Sequence, residues 1–312
     1  MARRHTLTYL AGIAVAGLAL SACGSNSLTP TATTAASKAA GAATSAASAA
    51  SAVDPALVAK LPAKIKAAGK IVVGTDATYQ PNEYLDPDGK TVIGMDVDLF
   101  NAVAAKFGVK TEWVPSAFDA IILGTNSGKY DIGISSFTVN AERLTQATMI
   151  SYFKAGTQWV TQKGNPKKVD PNNACGLSIA VQKGTVQSDV DIPAKDKACT
   201  DAGKPKINIL VDGDQGKVTA MVQSGKADAM LVDLPPAISA VETVGTLELL
   251  GQQYDSAPYG YVLPKTGSDE FAAAIVSALK ALQADGTYTK ILTKWKTDGG
   301  AITDFAVNPA VG

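Results

Sequence analysis

Histidine is almost absent from this sequence, since its only histidine is His5. His5 lies in an N-terminal segment that we expect to be removed as a signal peptide, so the mature protein would contain no histidine. Its absence would exclude nucleophilic sites of the Ser-His-Asp and Cys-His kinds and every zinc site with a histidine ligand. The sequence also has no excess of basic charge, because 28 lysines and arginines are matched by 28 acidic residues. Without a basic surface, we expect no nucleic-acid partner.

The N-terminal apolar segment, residues 7–20, is too short for an ordinary membrane-spanning helix. It follows Arg3 and Arg4 and ends in Leu20-Ser21-Ala22-Cys23, which matches the lipobox of bacterial lipoproteins. We therefore expect residues 1–22 to be a signal peptide and Cys23 to carry a lipid. The mature protein would then be extracytoplasmic and anchored to the cell membrane. An ordinary secretory signal and twin-arginine export are the alternatives, although the residues around the arginine pair fit the second poorly.

The segment after the lipobox consists almost entirely of alanine, serine and threonine up to residue 51. It contains no aromatic residue and has almost nothing to bury, so we expect residues 23–55 to form a disordered tether. The coil span of such a tether is about 30 Å. That length would hold a folded module clear of a membrane surface.

Cysteine is scarce, and only Cys175 and Cys199 follow Cys23. An exported protein meets oxidising conditions, so we expect these two residues to form a disulfide. Metal ligation is the competing interpretation, but no histidine is available to complete such a site. We therefore expect neither a metal nor a cofactor.

Apolar strand patterns alternate with helical patterns along the chain, which predicts βαβ units and an α/β fold with largely parallel sheets. In the first half, strands are predicted at 70–75, 109–114 and 130–134, a hairpin at 83–93, and helices at 96–107 and 118–126. In the second half, strands are predicted at 177–181, 206–211 and 227–232, with helices starting near Thr185, Asp214 and Leu234 and two more at 269–283 and 287–295.

The most informative segment is 131–143, in which a buried strand leads into a row of hydroxyl side chains and then an arginine. The hydroxyls are Ser135, Ser136 and Thr138, and the arginine is Arg143. Hydroxyls donate or accept hydrogen bonds, and a guanidinium binds a carboxylate through two parallel bonds. The segment predicts a pocket for a small carboxylate-bearing molecule. A Ser/Thr-rich loop with a solvated arginine is the alternative.

Residues 118–157, which contain this segment, resemble the extracellular solute-binding proteins of polar amino-acid ABC transporters. Further blocks follow the order and spacing of that family: Gly74–Tyr79, Gly94–Leu99, Gly184-Thr185, Ala227-Asp228-Ala229 with Asp233, and Asp285–Tyr288. The resemblance covers about residues 65–298. It implies a two-lobe, periplasmic-binding-protein-like (type II) fold, in which each lobe is a mostly parallel sheet flanked by helices and the ligand lies in the cleft.

The family's chain crosses from one lobe to the other and returns. The resemblance therefore implies a first lobe from residues 56–155 and 258–312 and a second lobe from 156–257, with crossings near 153–157 and 255–259. It also implies a monomer that captures a free amino acid and delivers it to an ABC-transporter permease.

The resemblance assigns roles to the candidate residues. Arg143 would bind the α-carboxylate, with Ser136 and Thr138 alongside and Thr185 donating from the second lobe. Asp233 would bind the ammonium group, although a helix N-cap is the alternative for this residue. The candidate ligand-binding residues are Asp76, Tyr79, Phe118, Ser135, Ser136, Thr138, Arg143, Gln182, Thr185 and Asp233.

Asp76, Tyr79 and Phe118 match positions that surround the ligand's side chain in the family. Gln182 stands where a glutamine-binding relative has a lysine, so one cation is missing from this pocket. Together these residues favour a cationic or amide amino acid over an acidic one. The family usually reads Pro-Phe after the tyrosine, whereas this chain reads Gln80-Pro81-Asn82, so an aromatic wall is absent or supplied from elsewhere.

Two other functions remain open at this point. Some dehydratases of aromatic amino-acid synthesis (cyclohexadienyl or arogenate dehydratase) resemble these proteins, and here Asp76 or Glu83 could serve as a general acid. A ligand-sensing partner of a membrane receptor is the second. The lipobox, the tether and an ammonium-type Asp233 favour a binding protein over an enzyme.

Overall fold

The computed structural model describes residues 53–311. The expected signal peptide, Cys23 and the expected tether as far as residue 52 lie outside the described residues. A helix begins at Pro55, capped by Asp54, whose carboxylate accepts a hydrogen bond from the Ala56 N–H at 2.8 Å. The last two residues of the expected tether therefore belong to the folded part.

The described residues form an α/β structure. The strands are β1 Lys70–Thr75, β2 Thr78–Tyr79, β3 Glu83–Leu85, β4 Val92–Ile93, β5 Lys110–Pro115, β6 Ile132–Gly133, β7 Ala147–Gln162, β8 Ser178–Gln182, β9 Asn208–Asp212, β10 Ala229–Asp233 and β11 Leu247–Pro264. The α-helices are α1 Pro55–Ala59, α2 Ala63–Ala68, α3 Met95–Lys106, α4 Ile121–Asn126, α5 Ala141–Gln146, α6 Ile192–Asp201, α7 Gln215–Gln223, α8 Leu234–Val244, α9 Asp269–Ala284 and α10 Thr287–Lys294.

Two sets of parallel strands are joined by two long antiparallel ones. In the first lobe β1 pairs in parallel with β5 and β6, and in the second lobe β8 pairs in parallel with β9 and β10. Strands β7 and β11 pair with each other from Ala147↔Pro264 to Gln162↔Leu247 and border both sets. This arrangement confirms the expected two-lobe type II fold. The sequence predicted the short parallel strands but not the length of the two that connect the lobes.

The pairing of β7 with β11 is irregular where the chain passes between the lobes. Its register shifts between Leu250 and Tyr254, between Tyr254 and Ala257, and between Tyr259 and Gly260. These shifts overlap the expected crossings near 153–157 and 255–259. The lobe boundaries themselves remain a prediction.

The core of the first lobe combines residues from both ends of the folded part. Ile71 and Val73 of β1 and Phe100 of α3 lie in one apolar cluster with Leu279 of α9 and Leu292 of α10. Because all five side chains are buried, the C-terminal helices complete this core. Apolar burial of this kind is the main source of fold stability.

The second lobe has two smaller apolar clusters on either side of its sheet. One includes Val218 of α7 and Met230 of β10, and the other includes Ile192 of α6. Cys175 and Cys199 are joined by a disulfide with a Cα–Cα distance of 5.5 Å, as expected. No helix within residues 53–311 is both long and apolar enough to cross a bilayer.

Candidate ligand-binding site

Arg143 is a buried cation with no carboxylate partner. It lies on α5, whose N-cap Asn140 accepts a hydrogen bond from the Arg143 backbone N–H at 2.8 Å. Its guanidinium donates to the carbonyl oxygens of Thr138 at 2.8 Å and Gly184 at 3.0 Å. The ion pairs of the described residues do not include it. Burial lowers the pKa of Arg143 to about 10, although nearby Asp233 favours the charged form.

Two stacked aromatic rings support this guanidinium. Phe118 and Phe137 lie with their centroids 4.5 Å apart, and the Arg143 guanidinium carbon is 5.4 Å from each centroid. Cation–π contact favours the charged form of the arginine and fixes the plane of its fork. The solvated arginine considered from the sequence is therefore wrong for Arg143, which is only 8% exposed.

Asp233 ends β10 and is held through both carboxylate oxygens. Gln187 Nε2 donates to Oδ1 at 2.7 Å, and the Tyr259 hydroxyl donates to Oδ2 at 2.6 Å. Burial raises the pKa of Asp233, and these hydrogen bonds partly offset that effect. Its side chain makes no capping bond to α8, so the N-cap alternative is not observed. The carboxylate is oriented by other side chains and not by the helix that follows it.

Asp76 is the second buried carboxylate of the site and lies just beyond β1. Thr78 Oγ1 donates to its Oδ1 at 2.9 Å, and Gln182 Nε2 donates to its Oδ2 from the second lobe. Burial raises the pKa of Asp76 to about 6, and nearby Asp214 adds to the increase. At neutral pH the group is therefore mostly ionised and lies where a cation could reach it.

Ser135 and Ser136 follow β6 and face a second layer of acidic side chains. The Ser135 hydroxyl lies 3.0 Å from Glu83 Oε1, and the Ser136 hydroxyl lies 3.3 Å from both Glu83 Oε2 and Asp96 Oδ2. Ser136 has a positive φ of 51°, which a serine rarely adopts. Glu83 is fully buried behind the serines and does not line the cavity, so the structure does not support Glu83 as a general acid in contact with substrate.

All of the predicted ligand-binding residues line one cavity between the lobes. They are Asp76, Tyr79, Phe118, Ser135, Ser136, Thr138, Arg143, Gln182, Thr185 and Asp233. They come from segments that are up to 157 residues apart in sequence, and only the two-lobe fold brings them together. Their proximity is observed, whereas their role in binding remains a proposal.

Atoms of the two lobes touch across this cavity, whose free volume is only about 10 Å³. Besides the Asp76–Gln182 and Arg143–Gly184 contacts, Lys183 Nζ lies 2.8 Å from Asp119 at the cleft edge. A Cβ on Gly184 would lie 2.8 Å from Asp119 Cβ, and φ there is +79°. Glycine is therefore required for this close approach. A ligand of amino-acid size needs the contacts across the cavity to open.

Two lining residues, Val186 and Gln187, were missed from the sequence. Gln187 begins a short π-helical turn, Gln187–Asp191, and its amide donates to both Asp233 and Thr157. Its position two residues after Thr185, in the first turn of a predicted helix, was the available signal. Of the aromatic residues expected around the ligand's side chain, Tyr79 and Phe118 both line the cavity, and Phe118 is stacked on Phe137.

Within residues 53–311, no cluster of three or more histidine, cysteine, aspartate or glutamate side chains has an arrangement that could hold a metal. Arg143, Asp233, Asp76 and the hydroxyl residues offer charge pairing and hydrogen bonding to a ligand in the cavity.

Comparison with known proteins identifies the class to which this fold and site belong. The sequence profile of the bacterial extracellular solute-binding proteins, family 3, matches residues 71–298. The chain belongs to this family.

Individual relatives agree with that assignment. The chain is 31% identical to the arginine-binding protein ArgT of Corynebacterium glutamicum, over 81% of this chain and 83% of the relative. It is 28% identical to the L-cystine-binding protein TcyA of Bacillus subtilis, over 78% and 87% of the two chains. The structure of an ancestral arginine-binding protein bound to arginine is 32% identical, with a TM-score of 0.66, and covers 73% of this chain and 98% of its own.

Proposed function

We propose that this protein captures an amino acid between its two lobes and delivers it to an ABC-transporter permease. The observation that carries the proposal is the placement of Arg143 and Asp233, two buried groups of opposite charge that line one cavity without forming an ion pair with each other. A zwitterion presents the complementary charges, a carboxylate for the guanidinium fork and an ammonium for the aspartate.

The two charges come from different lobes, since Arg143 follows β6 and Asp233 ends β10. A ligand that binds both gains its full interaction energy only when the lobes are closed around it. Binding therefore favours closure. A permease could then distinguish the loaded protein from the empty one by the relative position of the lobes.

The side-chain end of the cavity favours a cationic amino acid. Asp76, ionised above about pH 6, faces it, and Asp214 adds negative potential. Gln182 contributes an amide and no cation. The arginine-binding relatives support arginine as the first ligand to test, while the L-cystine-binding relative shows that related proteins have different ligands.

The N-terminal segment supports attachment to a membrane. The arginine pair, the apolar run and the lipobox ending in Cys23 occur in the order found in lipoproteins. Lipidation at Cys23 and a tether up to residue 52 would hold the two-lobe domain beside a permease. We further propose that the protein acts as a monomer, with residues 56–155 and 258–312 as one lobe and 156–257 as the other.

Titration calorimetry of the purified protein against the twenty common amino acids tests the proposed function. We expect one or more cationic amino acids to bind with micromolar or tighter affinity, amides to bind more weakly, and aspartate and glutamate not to bind. Absence of binding to every amino acid would contradict the proposal.

A further inference from the structure

Glu83 and Asp96 form a buried acidic pair directly behind the ligand cavity. Both residues are fully buried, and no lysine or arginine within residues 53–311 forms an ion pair with either. Their carboxyl groups meet at one hydroxyl, since Ser136 Oγ lies 3.3 Å from both Glu83 Oε2 and Asp96 Oδ2. Burial and the nearby Asp96 carboxylate raise the pKa of Glu83 well above its ordinary value. Two buried carboxylates that share one site without a cation cannot both be ionised, so one of the pair is protonated.

The surrounding donors indicate which carboxyl group is ionised. Asp96 Oδ2 accepts hydrogen bonds from the Tyr152 hydroxyl at 2.6 Å and the Ser136 backbone N–H at 3.2 Å. Glu83 has only the two serine hydroxyls as further partners. Asp96 receives more hydrogen bonds from donors other than the serine hydroxyls, so we assign the negative charge to Asp96 and the proton to Glu83. The other ionisable groups near the pair are Asp76, Tyr79, Tyr152 and Tyr261, none of them cationic.

The pair determines which hydrogen bonds the two serines can still make. Ser135 Oγ accepts from the Asp76 backbone N–H at 3.0 Å, and Ser136 Oγ accepts from Asn82 Nδ2 at 2.8 Å. Each hydroxyl directs its single proton toward the acidic pair, so only a lone pair remains for the cavity. Such a hydroxyl can accept a hydrogen bond from a ligand but cannot donate one to it.

We propose that Glu83 and Asp96, sharing one proton, are positioning residues that hold Ser135 and Ser136 as hydrogen-bond acceptors for the ammonium end of the ligand. This inference rests on the proposed function. It revises the expectation that Ser136 lies beside the ligand's carboxylate. It also gives two buried acids outside the cavity a part in selecting the ligand.

The test compares two probes that differ only at the α-position: L-arginine, and δ-guanidinovaleric acid, which is arginine without its ammonium group. In Glu83→Gln the amide donates to a serine, which then turns its own proton toward the cavity. We expect this variant to bind L-arginine at least about tenfold more weakly than wild type, which corresponds to the usual value of one hydrogen bond. Its affinity for δ-guanidinovaleric acid should stay within about threefold of the wild-type value. Glu112→Gln, an exposed change on β5, is the matched control.

If Glu83→Gln loses affinity equally for the two probes, the inference is wrong and the proposed function is unaffected, because a purely structural role would weaken the binding of both probes. Failure of the wild-type protein to bind any amino acid would overturn the proposed function and the inference with it.

If Glu83→Gln does not fold, infrared spectroscopy of the wild-type protein provides the second measurement. At about pH 8, above the usual range for acidic side chains, the infrared spectrum should show the C=O stretch of a protonated carboxyl group. This band should shift when L-arginine binds but not when δ-guanidinovaleric acid binds. Absence of that band would overturn the inference.

Discussion

The Tyr259 hydroxyl donates a 2.6 Å hydrogen bond to Asp233 Oδ2 and so joins one of the long connecting strands to the acidic end of the cavity. Tyr259 lies on β11 beside one of its register shifts and is fully buried. Gln187 holds the other oxygen of Asp233. A buried carboxylate fixed at both oxygens is already in position when the ligand arrives, which lowers the entropic cost of binding.

Replacement of this carboxylate should weaken ligand binding. Asp233→Asn keeps the shape but loses the charge opposite the ammonium group, so we expect the affinity for L-arginine to fall by about thirtyfold to several thousandfold, or 2–5 kcal/mol. Tyr259→Phe removes one hydrogen bond to the Asp233 carboxylate and should weaken the binding free energy of L-arginine by about 1.5–3 kcal/mol. Calorimetry measures both, with Tyr254→Phe as the control, because the half-buried Tyr254 also donates its hydroxyl proton to a carboxylate, that of Asp191, but does not line the cavity. An Asp233→Asn variant that binds like wild type would exclude an ammonium site there.

Binding of a cationic ligand should depend on pH through Asp76. Burial raises the pKa of Asp76 to about 6, and a bound cation favours its ionised form, so protons compete with the ligand below that value. The affinity for L-arginine should be nearly constant above pH 6 and decrease by at most about tenfold per pH unit below it for one group. Asp76→Asn should bind weakly and lose most of this dependence. A wild-type profile that stays flat between pH 5 and 7 would contradict the role of Asp76.

The Cys175–Cys199 disulfide should be formed in every molecule and should stabilise the second lobe. Cys175 and Cys199 are separated by 24 residues, and closure of such a loop is worth about 3 kcal/mol in the chain-entropy model. Thiol titration of denatured, unreduced Cys23→Ser protein should find no free thiol, and the additional change Cys199→Ser should lower the melting temperature. Two free thiols in the Cys23→Ser protein would show that the disulfide is not formed.

Membrane attachment should require Cys23. Conversion of this residue to serine removes the thiol that the lipid would modify, so the protein should move from the membrane fraction to the soluble extracytoplasmic fraction. Cell fractionation with immunodetection measures the change, and Ser21→Ala within the same motif provides a control that keeps the cysteine. Retention of Cys23→Ser at the membrane would mean that something other than the lipid holds the protein there.

Much of the fold and the site could be predicted from local sequence. Strand β1, helix α8 and the hydroxyl row before Arg143 are each encoded by patterns a few residues long, and the order of the blocks identified the family. Patterns a few residues long cannot show which side chains from distant parts of the sequence come into contact in the fold. Tyr259 reads as an ordinary core tyrosine, and Gln187 as a helix residue, until β11 and β10 are brought together around Asp233.

The same limit applies to the acidic pair. Glu83 precedes a turn and Asp96 opens α3, so each reads from the sequence as a hairpin or helix-end residue. Only the packing of both against Ser136 and Tyr152 shows that they share a buried environment without a cation. The length of β7 and β11 was also missed. Strand β7 is buried along nearly its whole length and β11 chiefly toward its C-terminal end, so neither shows the regular alternation that marks an ordinary strand in a sequence.

The central claim is that the buried guanidinium of Arg143 binds the carboxylate of an amino acid. Micromolar binding corresponds to about −8 kcal/mol in total, and loss of one partner of a desolvated charge pair costs about 2–5 kcal/mol. Arg143→Lys should recover only part of the loss, because an ammonium cannot reproduce the two-pronged contact.

Calorimetric titration of Arg143→Ala with L-arginine, with circular dichroism to verify the fold, is the most direct measurement. The account predicts an affinity lower by tens-fold to thousands-fold with the fold intact. A folded Arg143→Ala protein that binds L-arginine within about threefold of wild type, as expected for an exposed ion pair, would contradict it.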